Sequence, residues 1–213
     1  MAAAQDAVFR VVQCGIRVVV FDLDLTAVAA HSHGRLQRTM QSEYVNKASP
    51  DFVALVPPLV SEGIGVAIAT HSDSNEYRGS IARDSHILGC ELAAAVLNHC
   101  FPYLCASQDG SAMIEGSAAT GDEAGAQMQV GVFRVVGYNP RVRRGGELDC
   151  NKAKRYHMRA LMQHFGCTPS EVLFFDDLEE NVADCLSIGV KAVRVNPETG
   201  FKISDLEDCL LLA

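Results

Sequence analysis

The chain has 213 residues, is 48% hydrophobic and carries a formal net charge of −8. This length and apolar content suffice for a buried core, and the negative charge disfavours nucleic acid as a general partner. No run reaches the roughly 18 consecutive apolar residues that span a membrane, and Asp6 lies where a signal peptide would have basic and then apolar residues. We therefore expect a single domain over residues 1–213, in the cytoplasm and without a membrane partner. The sequence predicts no particular oligomeric state.

Short apolar runs bounded by turn residues are the predicted strands. In chain order they span residues 18–21, 66–69, 130–136, 172–175 and 192–195. Helical patterns span residues 49–63, 85–100, 151–166 and 181–189. The first helix has Ser49 as a candidate N-cap and Pro50 at its first position, and Pro57 and Pro58 predict an irregularity within it. Apolar strands that alternate with helices predict an α/β fold with a doubly wound parallel sheet, which binds ligands at the carboxyl ends of its strands.

One segment, residues 106–129, differs from the rest in composition. It is rich in Gly, Ala and Ser, contains four acidic residues and has no Lys or Arg. Such a segment lacks the apolar content for a core of its own, so we predict a long flexible insertion. A lid that orders over a substrate is the alternative.

Polar side chains follow several of the predicted strands or lie just before a predicted helix. They are Asp22, Asp24, Thr70, Lys152, Lys154, Asp176 and Asp177. Carboxylates that converge on one edge of a sheet repel one another unless a cation neutralises them. Mg²⁺ prefers a few carboxylates together with waters and phosphate oxygens, so Mg²⁺ is the predicted cofactor. Carboxylates, a hydroxyl, a lysine and a metal together suit phosphoryl transfer, in which the protein mainly positions groups and stabilises charge.

The motifs "DLDLT", "AIATHS", a lysine and "FFDD" occur in this order. In that order they resemble the four motifs of haloacid dehalogenase (HAD) superfamily phosphatases. The stretches "AIATHS" and "KRYHMRALMQHFGCTPSEVLFFDDLEENV" are most similar to the magnesium-dependent phosphatase-1 type. The resemblance covers the core motifs rather than the whole chain. It implies a Mg²⁺-dependent hydrolase of phosphomonoesters with a minimal cap.

The resemblance also implies roles for the first motif. Asp22 would be the nucleophile that forms an aspartyl-phosphate, which divides one hard displacement into two easier ones. Asp24 would protonate the leaving oxygen and then activate the hydrolytic water. Thr26 would brace the turn after the strand.

The other motifs supply phosphate-binding groups. Thr70 would hydrogen-bond the transferring phosphoryl group, and the following His71 would contact substrate or be a simple loop residue. Lys154 is preferred to Lys152 as the catalytic lysine, because it lies 22 residues before Asp176 and because "KRYH" resembles the family's lysine followed by a histidine three residues on. The predicted metal ligands are Asp22, Asp24 through its backbone carbonyl, Asp176 and, in support, Asp177.

Two further clusters have weaker functional signals. His31 and His33 suit a metal pair, but a solvated flap after the first strand is the preferred interpretation. The basic stretch after the third strand would attract an anionic substrate or be a solvated loop; its arginines are Arg141, Arg143 and Arg144.

Other function classes share parts of this pattern. A phosphotransferase or phosphomutase of the same fold would pass the phosphoryl group to an acceptor other than water. A non-catalytic Mg²⁺-binding signalling module of the receiver type would have its acidic pair first, whereas here the pair comes last. The segment between Thr26 and the second strand is too short for a cap domain, so large substrates could reach the site. The expected substrate is a phosphorylated small molecule or a phosphoprotein.

Overall fold

The computed structural model describes residues 2–71, 82–106, 114–116, 126–138 and 153–210. Its strands are β1 Val18–Phe21, β2 Leu36–Gln37, β3 Gly65–Thr70, β4 His86–Ile87, β5 Ile114–Gly116, β6 Ala126–Val130, β7 Phe133–Gly137, β8 Val172–Asp176 and β9 Lys191–Arg194. Its helices are α1 Ala2–Gln13, α2 Gln41–Val45, α3 Pro50–Ser61, α4 Ala82–Ser85, α5 Gly89–Cys100, α6 Pro102–Cys105, α7 Arg155–Phe165, α8 Glu179–Ser187 and α9 Ile203–Leu210.

Within the described part of the chain, the main sheet has seven strands in the order β5-β6-β7-β3-β1-β8-β9. The strands β7, β3, β1, β8 and β9 are parallel to their neighbours in this group, and β5 and β6 add an antiparallel edge. The strand order along the parallel part reverses at β1, which confirms the predicted doubly wound α/β class. In such sheets the ligand crevice lies at the carboxyl ends of the strands beside this reversal.

The central strand β1 is buried on both faces, because its four residues are all apolar. Val19 and Phe21 face one side, where α1, α3, α5 and α9 supply the core, and Val18 and Val20 face α7 and α8 on the other. Phe21 stacks on Phe175 of β8 with ring centroids 5.3 Å apart. The two strands that carry the aspartates are thus fixed to each other by a close-packed core.

The helix α3 confirms the predicted start signal. The Ser49 hydroxyl accepts a hydrogen bond from Phe52 N at 3.3 Å, and Pro50 occupies the first helical position. The helix continues through Pro57 and Pro58 to Ser61. Among the described residues, no helix is both long and apolar enough to cross a bilayer.

The prediction of one continuous strand over residues 130–136 is wrong, because the chain reverses direction within this range. Residues Ala126–Val130 and Phe133–Gly137 pair as an antiparallel hairpin around Gly131, whose φ is +56°. A Cβ at Gly131 would lie 2.1 Å from Leu104 O, so only glycine fits this turn. The sequence did not reveal the turn, because a single glycine within a largely apolar run is compatible with a continuous strand.

The hairpin also corrects part of the predicted insertion at residues 106–129. Ile114–Gly116 and Ala126–Val130 pair as the antiparallel edge of the sheet rather than forming a loop. The remainder, residues 107–113 and 117–125, lies outside the described residues, as do Lys152, Arg141, Arg143 and Arg144.

Two predicted helices begin later than expected. Residues 86–87 form β4, which pairs with β2, so the helix predicted from residue 85 starts at Gly89. The helix predicted from residue 151 starts at Arg155, after Ala153 with a left-handed φ of 49°. This turn places Lys154 at the N-cap of α7, beside the carboxyl ends of β1 and β3.

Candidate active site

Asp22 leaves the tip of β1 beside the neighbouring strand. Its backbone N donates to Phe175 O at 2.9 Å, which continues the β1–β8 pairing by one residue. The chain then turns sharply: Leu25 has a left-handed φ of 58°, and Ala27 N donates to Asp22 O at 3.1 Å. A non-glycine residue in this region is strained, which is common at functional sites.

Thr26 closes the same turn. It is fully buried, and its backbone O accepts a hydrogen bond from Phe201 N at 2.9 Å. A backbone hydrogen bond therefore joins the turn after the two aspartates to the loop that follows β9.

Lys154 is the cation of the site, with only 1% of its surface exposed. Its Nζ donates to Asp22 Oδ1 at 2.5 Å and to Ala69 O at 2.7 Å, and it lies 3.8 Å from Asp176 Oδ2. The lysine preferred from the sequence thus contacts the predicted nucleophile. Its catalytic role stays a prediction.

Asp176 at the end of β8 is completely buried. Its Oδ1 accepts a hydrogen bond from Leu178 N at 2.8 Å, and Asn181 Nδ2 lies 3.0 Å from each carboxylate oxygen. Sequence reasoning missed Asn181. The signal that could have found it is an asparagine five positions after the aspartate, at the start of a predicted helix.

Three carboxylates form a group with the geometry of a metal site. One oxygen from each of Asp22, Asp176 and Asp177 lies within 4.8 Å of the others. Hard oxygen donors at this spacing fit a divalent cation such as Mg²⁺, with waters and a substrate oxygen completing its coordination. Within the described residues, the side chain of Asp24 is not part of this group. Coordination through the Asp24 carbonyl stays a prediction.

The electrostatics of the site also favour a cation. Burial, and then the nearby Asp176, raise the pKa of Asp22 well above its usual value, although Lys154 opposes them. Burial by itself lowers the pKa of Lys154, but the charges of Asp22 and Asp176 outweigh it and raise that pKa. Burial and Asp176 likewise raise the pKa of Asp177. Among the described residues, the ammonium of Lys154 therefore does not compensate all three carboxylates, and a bound cation would lower their pKa values.

Asp24 points to a different set of partners. Its Oδ2 accepts hydrogen bonds from Ser32 N at 3.1 Å and Ser32 Oγ at 2.7 Å, and lies 2.9 Å from His31 Nδ1. The hydroxyl of Tyr44 donates to Asp24 Oδ1. His33 stacks on His31 with centroids 4.5 Å apart, so the two histidines lie in the segment beside Asp24. The sequence did not predict any of these contacts to Asp24.

Thr70 ends β3, and histidines hold the backbone around it. His157 Nε2 donates to Thr70 O at 2.8 Å, and His71 Nε2 lies 2.9 Å from Ala153 O, next to Lys154. Burial, together with Lys154, keeps the pKa of His157 well below its usual value, so its ring is neutral. His71 therefore contacts the lysine turn; contact with substrate stays a prediction.

Comparison with known proteins adds evidence about the fold. No family model matches the chain, and no curated protein matches it. The solved structure of a proposed HAD-like phosphatase from Mesorhizobium loti matches with a TM-score of 0.52 at 14% identity, covering 92% of this chain and 85% of that one. The chain has a HAD-like fold.

Two other solved structures match this chain with lower TM-scores. A hypothetical protein from Xanthomonas campestris has a TM-score of 0.42 at 15% identity, covering 100% of this chain and 87% of that one. A haloacid dehalogenase-like hydrolase family protein from Streptococcus pneumoniae has a TM-score of 0.43 at 14% identity, covering 92% and 91%. The likeness to the magnesium-dependent phosphatase-1 type stays a prediction.

Proposed function

We propose that the chain is a Mg²⁺-dependent phosphomonoesterase that works through an aspartyl-phosphate on Asp22. The observation that carries this proposal is the contact of buried Lys154 with Asp22, inside the group formed with Asp176 and Asp177. A hydrolase of the phosphatase type also agrees with the HAD-like fold. A carboxylate that is held beside a cation at the switch point of the sheet is suited to attack an anionic phosphate ester.

In the first half of the reaction, an Asp22 carboxylate oxygen attacks phosphorus, and the bond from phosphorus to the leaving oxygen breaks. Asp24 gives its proton to that oxygen. Lys154 offsets the charge of Asp22 and of the phosphoryl oxygens, and Thr70 donates a hydrogen bond to them. A Mg²⁺ ion held by Asp22, Asp176 and Asp177 would supply further positive charge and orient the phosphoryl group.

In the second half, Asp24 takes a proton from water, and the water oxygen attacks phosphorus. The bond from phosphorus to Asp22 then breaks, which releases inorganic phosphate and restores the carboxylate. The sequence between Thr26 and β3 forms a short flap and helices rather than a separate cap domain. Phosphorylated small molecules or phosphoproteins are therefore the proposed substrates.

Hydrolysis of a generic aryl phosphate tests this proposal. Wild-type protein should release inorganic phosphate in the presence of Mg²⁺ and stop when a chelator is in excess. Asp22→Asn should lower kcat by about 10⁴-fold or more, as the loss of a nucleophile does elsewhere. Asp6→Asn, an exposed site on α1, is the matched control and should behave as the wild type.

Two outcomes would contradict the proposal. Undiminished turnover in chelator would show that the reaction needs no metal. Full activity of Asp22→Asn would show that Asp22 is not the nucleophile. If the ester is consumed while phosphate appears on an added alcohol instead of in solution, the enzyme is the phosphotransferase alternative.

A further inference from the structure

The carboxylate of Asp24 is enclosed by polar groups of the segment that follows β1. Ser32 N and Ser32 Oγ donate to Oδ2, His31 Nδ1 lies 2.9 Å from the same oxygen, and the Tyr44 hydroxyl donates to Oδ1. An ionised carboxylate has about four lone-pair directions. With three donors in place and the His31 ring against the same carboxylate, a leaving oxygen or a water can reach Asp24 only if one of these groups withdraws.

The donors differ in how firmly they are held. Tyr44 is 3% exposed, and its ring belongs to the main apolar core, so its hydroxyl is held in place by packing. Ser32 is also 3% exposed and uses both its backbone and its side chain. The His31 side chain is 49% exposed, and His33 N, at 3.0 Å, offers its Nδ1 a competing hydrogen bond. His31 is therefore the neighbour of Asp24 that is easiest to displace.

We propose that Tyr44 and Ser32 are positioning residues that orient Asp24 for proton transfer, and that His31 is the contact that gives way to the leaving oxygen. This inference rests on the proposed function, in which Asp24 exchanges the proton. A fixed carboxylate reaches productive geometry without a search over rotamers, and misorientation of a catalytic group lowers rate rather than binding.

The test compares Tyr44→Phe with Tyr103→Phe, an exposed site on α6, using two phosphate esters. An alkyl phosphate has a poor leaving group that needs its proton, whereas a nitrophenyl phosphate has a good one that does not. With the alkyl ester, Tyr44→Phe should lower kcat by about 10- to 100-fold, as the loss of a hydrogen bond to a charged group does, with KM little changed. With the nitrophenyl ester, the rate constant for phosphorylation of Asp22 is measured in a single turnover. Tyr44→Phe should lower this rate constant at least several-fold less than it lowers kcat for the alkyl ester.

His31→Ala should lower kcat for the alkyl ester less than Tyr44→Phe does, because its contact must break in every turnover. Equal losses for both esters would mean that Tyr44 only supports the fold, and no loss for the alkyl ester would remove its positioning role; either result overturns the inference. A larger loss in His31→Ala than in Tyr44→Phe would also overturn it. Failure of the proposed function is seen separately, since the wild type would then show no turnover that depends on Asp22.

Discussion

Replacement of Lys154 by methionine should destabilise the metal-free protein at neutral pH. The Lys154 ammonium lies 2.5 Å from Asp22 and 3.8 Å from Asp176, which at an effective dielectric constant of about 20 gives attractions of about 7 and about 4 kcal/mol. Most of this attraction is offset by the desolvation of three buried charged groups. Loss of one partner of a buried pair costs about 3–5 kcal/mol. Because Asp22 can take up a proton, we expect a loss near the lower end, about 3 kcal/mol.

Urea unfolding in the presence of a chelator measures this loss. The matched control is Lys47→Met, since Lys47 forms an exposed ion pair with Glu43 at 2.9 Å and such pairs contribute less than about 1 kcal/mol. Millimolar Mg²⁺ should restore part of the stability of Lys154→Met, because a cation bound to the folded state replaces the missing positive charge.

The pH dependence gives a further check on the Lys154 variant. A carboxyl whose pKa is raised in the folded state binds more protons there than in the unfolded chain, so it destabilises at neutral pH and this penalty falls as the pH is lowered. Lys154 lowers the pKa of Asp22, so its loss raises that pKa further than in the wild type. The deficit of Lys154→Met should therefore shrink at mildly acidic pH. If in chelator at neutral pH the variant unfolds within about 1 kcal/mol of the wild type, Lys154 does not hold the carboxylates together, and the reasoning is refuted.

Two other substitutions test the mechanism and the fold. Asp24→Asn should still allow transfer of a phosphoryl group from an activated phosphate to Asp22 but should slow hydrolysis of the intermediate. After the reaction is quenched in acid, mass spectrometry should find an acyl-phosphate on the peptide that contains Asp22. Phosphate on another residue would contradict the mechanism. Gly131→Ala should lower the free energy of unfolding in urea by more than about 2 kcal/mol, since its Cβ would lie 2.1 Å from Leu104 O. The control Gly34→Ala, at φ +77° with open space around the Cβ, should lower it by about 1 kcal/mol. Equal losses would argue against the hairpin.

The placement of the polar residues at the strand ends was largely predictable because it follows from the sheet alone. Asp22, Thr70 and Asp176 each follow or end a run of buried apolar residues. Carboxyl ends of neighbouring parallel strands meet at one edge, so a correct assignment of strands brings these groups together without knowledge of any other contact. Lys154 required more: its spacing indicated the site, but the left-handed Ala153 that directs the chain there is not visible in composition or periodicity.

The partners of Asp24 could not be predicted, because they depend on tertiary packing rather than on strand ends. Ser32 lies in an irregular segment, and Tyr44 lies in the short helix α2, whose five residues contain no functional motif. A tyrosine in such a helix predicts burial of its ring and says nothing about the acceptor of its hydroxyl. The hairpin at Gly131 was missed for a related reason, since one glycine within an apolar run is compatible with either a strand or a turn.

The different surroundings of the two aspartates provide a physical basis for the different roles that we propose for them. Asp22 is met by the ammonium of Lys154 and lies in a buried group of carboxylates, so its environment is strongly charged and suited to bond formation with an anionic phosphoryl group. Asp24, two residues further on, is met by the hydroxyls of Tyr44 and Ser32 at a partly exposed position, where a proton can be exchanged with substrate or water. Two carboxyl groups in one site take different roles when their environments differ in this way. Leu25 follows Asp24 directly and turns the chain in the left-handed region, and the segment after this turn supplies Ser32 and Tyr44 to Asp24.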